Sequence, residues 1–191
     1  MIRGAARWAA ATGRAPILET AMSQELALDS TAGVTGMPLP SRSSPAPTPA
    51  FRVRLARRGD GEQLGLLLAE LGHAGAGDTA TVHWVLSHPE IEVHVAADGS
   101  DRPLGLLSFS HRPQLRLSGR VATIDELVVL PAARRQGVGR ALVQRALERA
   151  RVLSVKRVEL QLPSVPDEAT YRFCEAMGFR DAERGVVTRA P

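Results

Sequence analysis

VATIDELVVLPAARRQGVGRALVQRALERAR, residues Val121–Arg151, decides the architecture. Val121–Leu130 is rich in β-branched and apolar residues and reads as a strand. PAARRQG follows as a loop, and a long amphipathic helix starts near Gly137. Val138, Ala141, Leu142, Val143, Ala146, Leu147 and Ala150 cover about half the helical wheel. Arg140, Gln144, Arg145, Glu148 and Arg151 occupy most of the other half. A helix packed on a sheet through such a stripe has its amino-terminal end fixed in direction. That end carries roughly half a positive charge and up to four N–H groups without intrahelical partners. Gly137 and Gly139 lack a Cβ, so a polyanion can approach the backbone, and Arg134, Arg135 and Arg140 add full charges around the opening. A diphosphate suits this arrangement. The competing reading is a tight strand-to-helix turn with solvated arginines beside it. Neither a third glycine nor a Gly-Lys-Ser/Thr is present, so it is not a dinucleotide or Walker-type loop.

Outward from this stretch, Lys156–Leu162 is a further strand, and the strand–helix–strand crossover predicts a parallel pair. Pro166 and Asp167 open a last helix ending at Gly178, and Phe179–Val187 returns as an extended stretch. On the other side, Ile91–Asp98 and Pro103–Pro113 flank a polar turn at Gly99 and predict an antiparallel hairpin. Phe51–Ala56 alternates as an outer strand would. Asp60 is placed to cap a helix, with Gln63 completing a capping box. Leu64, Leu67, Leu68 and Leu71 then share one face and Gly72 stops the helix. His73–Asp78 is a glycine-rich connection, after which Asp78 caps a helix over Thr79–Ser87 closed by Pro89. These elements predict an α/β fold: a mixed, mostly antiparallel central sheet with helices on both faces, occupying residues 51–191.

Residues 1–50 are dominated by Ala, Gly, Ser, Thr and Pro and read as a disordered extension, with the proline-rich linker Pro38–Pro49 at its end. Its first part is arginine-bearing and free of acids until Glu19, so a transit peptide and an over-long start ahead of Met22 or Met37 are both alternatives. No apolar run reaches the ~20 residues of a membrane span. The lone Cys174 permits no intramolecular disulfide, in keeping with a cytoplasmic protein. The pI of 10.4 accompanies a net charge of only +4. Lys156 is the only lysine, so the pI reflects arginine's high pKa. These arginines are interleaved with carboxylates and aromatics are few, which disfavours nucleic acid as a partner.

ELVVLPAARRQGVGRALV resembles the acetyl-CoA site of the GNAT superfamily of N-acetyltransferases, whose hallmark is Arg or Gln, two residues, Gly, one residue, then Gly or Ala. Arg134, Arg135, Gln136, Gly137, Val138 and Gly139 fill it here. The opening Arg52–Gly72 and FCEAMGF (Phe173–Phe179), similar to the family's FYxxxGF ending, extend the likeness over about Phe51–Val187. The resemblance implies acetyl transfer from acetyl-CoA, as cosubstrate and without a metal, by direct attack of a primary amine. It also implies that the backbone of Leu127, Val128 and Val129 pairs with the pantetheine arm at a bulge where strands splay. The N–H groups from Gln136 to Arg140 would hold the diphosphate. The acceptor, a small molecule or a protein amino group, is left open, as is homodimerisation. A non-catalytic acyl-CoA-binding regulatory domain is the runner-up.

An alkylammonium has no lone pair, so its proton must leave before attack. Glu126, in the central strand before the loop, is the candidate base. It is expected to share a face with Ile124 and Val128, in a partly apolar interior that raises its pKa. Asp125 is its competitor. The family's tyrosine, which protonates the thiolate, falls at Cys174 here, and Tyr171 lies one turn earlier. Cys174 also reads as a small buried hydrophobe. His111 reads as a lone surface histidine. His83 and His88 are five apart, with Trp84, Val85 and Leu86 between them read as core, so no histidine pair has metal spacing.

Overall fold

The computed structural model describes residues 50–162 and 166–182. The chain divides into two units, Pro49–Arg180 and Met1–Thr48 with Asp181–Pro191. Of the second, only Asp181 and Ala182 are among the described residues. The expected amino-terminal extension lies outside them, as does most of the last extended stretch. Phe179–Ala182 is not in a strand.

Five strands form one sheet in sequence order: β1 (Phe51–Leu55), β2 (Ile91–Asp98), β3 (Pro103–Gln114), β4 (Gly119–Val129) and β5 (Val155–Leu160). The first three pairings are antiparallel and β4–β5 is parallel. The described helices are α1 (Gly61–Glu70), α2 (Thr79–Leu86), α3 (Val138–Val152) and α4 (Glu168–Ala176). None of them is long and apolar enough to cross a membrane.

Two apolar clusters lie on opposite faces of the sheet. On one, α3 buries Val138, Leu142, Val143, Ala146 and Ala150 against Ala96, Leu107, Phe109, Ala122 and Ile124. On the other, Leu64 and Leu67 of α1 and Val82 of α2 cover Val93, Val95, Leu106 and Val128. Each fully buried aliphatic side chain contributes about 1.5–3 kcal/mol. Gly105 in β3 lets α3 seat closely. A Cβ there would lie 3.0 Å from the Val128 carbonyl oxygen and from Val138 Cγ1.

The local signals at helix starts differ in outcome. Asp78 caps α2, accepting from the N–H of Ala80 at 3.0 Å and Thr81 at 3.1 Å. Asp167 caps α4 through Thr170 N–H at 2.7 Å. Asp60 does not cap α1 with its side chain. Its carboxylate, 9% exposed, accepts from both terminal nitrogens of Arg54 at 2.7 and 2.9 Å and from Arg57 N–H at 2.7 Å. Gln63 instead accepts from Arg102 Nε at 3.2 Å. A partly buried guanidinium outcompetes the capping box, because an unpaired charge is the costlier omission. Arg54 also donates through Nε to Asp101, in the β2–β3 turn, at 2.7 Å.

Three further expectations change. Leu71 is partly exposed at the end of the α1 stripe. Trp84 is 66% exposed, edge-on to His88, rather than core. His111 is 7% exposed, with Arg120 Nη1 3.0 Å from its Nδ1, rather than at the surface. Burial and that arginine hold its pKa below the ordinary value.

Candidate functional site

The candidate site starts where β4 leaves β5. Their shared register ends at Ile124↔Leu160, and Gln161 N–H adds one last bond to the Ile124 carbonyl at 3.0 Å. From Asp125 to Val129, β4 pairs with β3 alone among the described residues. Its other edge is therefore open, the form of an edge that takes an extended ligand by main-chain hydrogen bonds.

A bulge coincides with this departure. Ile124 faces Phe109 and Glu126 faces Ser108, leaving Asp125 as the extra residue in β4. Residues directly opposite share a face. Glu126 therefore lies with Ser108 on the α1/α2 side, with Val128, whereas Ile124 packs on the α3 side. The expected common face for Ile124, Glu126 and Val128 is thus corrected: the bulge breaks the alternation between the first two. Asp125 stands on the Glu126 side too, held by Ser110 Oγ at 2.6 Å and by Gln161 Nε2 at 3.1 Å.

Glu126 is half-buried. Ser108 Oγ donates to its Oε2 and accepts its backbone N–H at 3.1 Å. Burial raises its pKa above the usual carboxylate range, the charge of Asp125 raises it further, and His73 opposes the rise. Burial likewise raises Asp125, against the bonds from Ser110 and Gln161. The pair can therefore hold or accept a proton nearer neutrality than a surface carboxylate. Ser108, Ser110 and Gln161 were not singled out from sequence. The signal for the serines was two hydroxyls at even spacing in an otherwise apolar strand.

Pro131–Ala133 is a single 3-10 turn, and Arg135 (φ 64°) and Gly137 (φ 84°) are left-handed. Gly137 is the residue before α3, and its carbonyl accepts the N–H of Ala141 at 3.0 Å. The N–H groups of Val138, Gly139 and Arg140 precede the first helical donor, Ala141. A Cβ on Gly137 would meet nothing within 4 Å, so this backbone is open as expected. Gly139 differs: its missing Cβ faces the Phe173 ring of α4 at 3.6 Å. Val138 is buried in the core. Arg134 bonds the Val129 carbonyl through Nε at 3.0 Å and Glu70 of α1 at 2.7 Å. Gln136 turns back to the Ala132 carbonyl at 2.9 Å, while Arg135 and Arg140 are exposed.

Leu127 and Val129 pack toward the α3 cluster and Val128 toward the other. Their side chains serve the cores, leaving the backbone edge as what they offer a ligand. Cys174 is 2% exposed, and burial pushes its thiol up to about 11. A thiol in that state is neither a ready nucleophile nor a ready acid. Tyr171, half-buried, stands one turn before it on α4.

The arrangement fits an acyl-CoA. It combines an open strand edge for an amide-bearing arm, free N–H groups at a helix end for phosphates, and carboxylates of raised pKa at the start of that edge. A family model described as the acetyltransferase (GNAT) family matches residues 65–179. No curated protein matches the chain. Among solved structures, a transcriptional regulator from Bacillus halodurans C-125 is 27% identical with a TM-score of 0.67, covering 73% of this chain and 99% of its own. A putative acetyltransferase from Agrobacterium tumefaciens str. C58 is 27% identical with a TM-score of 0.65 over the same shares, 73% and 99%. The ribosomal-protein-alanine N-acetyltransferase of Brucella melitensis biovar Abortus 2308 shares the fold at 22% identity and a TM-score of 0.63, over 74% and 99%.

Proposed function

The chain belongs to the acetyltransferase (GNAT) family and is an acetyl-CoA-dependent acyltransferase, and from this we propose that it transfers acetyl to a primary amine with Glu126 as the general base. The observation that carries the reading is the bulge at Asp125, which coincides with the parting of β4 from β5 and brings two carboxylates of raised pKa onto one face.

Acetyl-CoA supplies an activated thioester carbonyl. In this reading the free edge of Leu127, Val128 and Val129 pairs with its pantetheine arm. The N–H groups from Gln136 to Arg140 take the diphosphate, with Arg134, Arg135 and Arg140 supplying charge. Glu126 removes the ammonium proton, directly or through water, and its raised pKa brings it closer to the amine's. Ser108 orients the carboxylate. The thiolate takes its proton from solvent or from Tyr171, because a buried thiol such as Cys174 releases a proton reluctantly. Residues 51–191 form the transferase domain and residues 1–50 an appendage to it; the setting is the cytoplasm. The acceptor is a small amine or a protein amino group.

A thiol-release assay over a panel of amines and amino-terminal peptides, paired with isothermal titration of acetyl-CoA, tests the reading. Turnover on one class of amine is expected. Acetyl-CoA binding without turnover on any amine would overturn it.

A further inference from the structure

A cavity of about 360 Å³ lies at the other end of the sheet from the α3 amino terminus, where β2 runs on past the end of β1. Arg145 and Arg149 of α3 line it, about 12 and 18 Å along the helix from Gly137 at 1.5 Å per residue. Leu86, Pro89 and Val93 line an apolar side, and Glu92 and His94 a polar one.

His94 is 1% exposed, and neither ring nitrogen has a hydrogen-bond partner. Nε2 stands 3.4 Å from Glu92 Oε2, near enough for a charge interaction but outside hydrogen-bond geometry. Burial of a polar ring without partners is unfavourable, and this ring lies in the wall of the cavity. Glu92 is neutralised by Arg149 Nε at 2.5 Å. Arg145 has only a long contact to Glu148, 3.5 Å, and its side chain is half exposed. The cavity therefore presents one loosely engaged guanidinium fork, one imidazole and an apolar wall.

We propose that this cavity is a second ligand site, separate from the acyl-CoA site, for a small monocarboxylate carrying a short apolar group. The carboxylate bonds Arg145 in bidentate fashion, and the His94 ring in the cavity wall reports its arrival. The apolar group lies against Leu86, Pro89 and Val93. The loosely held charge of Arg145 matches a monoanion better than a phosphate dianion. The volume is at the small end of ligand pockets, which run ~300–1,000 Å³, so it suits a ring or branched chain.

Titration of the full chain with sodium benzoate, followed by the NMR signals of the His94 ring, tests this. A saturable shift in the millimolar range is expected, about tenfold weaker in Arg145→Ala and intermediate in Arg145→Lys, which keeps the charge but loses the fork. Acetyl-CoA binding, measured in parallel, stays unchanged in both variants and reports that they are folded. Benzyl alcohol and inorganic phosphate are expected to leave the His94 signals in place. The proposal is overturned if benzoate gives no saturable His94 shift, if the shift survives Arg145→Ala undiminished, or if phosphate shifts the ring as benzoate does.

Discussion

At the scale of single residues, Asp125 and Glu126 illustrate what adjacency in a chain conceals. Neighbours in a regular strand point to opposite faces, so a sequence reading makes them alternatives. The bulge makes them partners, and the charge of one raises the pKa of the other. Glu126→Gln should lower kcat by ~10²-fold or more with acetyl-CoA affinity unchanged. Asp125→Asn should move the acidic limb of the kcat/KM profile to lower pH, because removing a like charge stabilises ionised Glu126. An acidic limb that stays in place, or moves to higher pH, would remove Asp125 from this role. The raised pKa itself was legible from the expected burial of Glu126, although Ile124 lies on the other face. The contribution of Asp125 was not, because a one-residue bulge leaves no mark on composition or periodicity.

At the scale of elements, the two glycines before and within the first turn of α3 look equivalent in sequence and are not. Gly137 has φ 84° and open space where a Cβ would project, while Gly139 has ordinary contact room beside Phe173. Gly137→Ala should cost about 1–2 kcal/mol of stability through its backbone conformation alone. It should also weaken acetyl-CoA binding, since the new methyl projects into the opening. Gly139→Ala should be near neutral in both. Thermal melts and titration of the two variants check this, and equal losses at the two positions would refute the distinction. Strand and helix positions were legible within about two residues because periodicity is a local property. The capping box at Asp60 was misread because its deciding partner, Arg54, approaches from a neighbouring strand.

At the scale of the whole molecule, the β2–β3 hairpin and the parallel crossover follow from short connections and handedness, and both were legible. What joins distant segments was not. Asp101, in the β2–β3 turn, pairs with Arg52 at 3.0 Å, Arg54 at 2.7 Å and Arg57 at 3.0 Å, fastening the turn to β1 and the start of α1. Arg54 first and Arg52 second hold its carboxyl down at about 2, against an ordinary 3.8. A depressed folded-state pKa gives stability that is complete above the unfolded value and is lost as pH falls through the folded one. Asp101→Asn should therefore lower the melting temperature at neutral pH and flatten its decline between about pH 4 and pH 2. A variant that keeps the parent's decline across that window would show that the clamp carries no linkage.

The bulge also bears on how the chain tolerates changes in length. Alternation acts as a parity count, and Asp125 is a surplus digit in it: without it, Ile124, Leu127 and Val128 keep their present sides. Loss of Leu127 instead would exchange the sides of Val128 and Val129 and put each into the other's cluster. A protein lacking Asp125 should melt cooperatively, whereas one lacking Leu127 should not fold, and identical behaviour of the two deletions would contradict the count. β4 can thus be shortened at one interior position, the one beside Glu126, without rewriting either core.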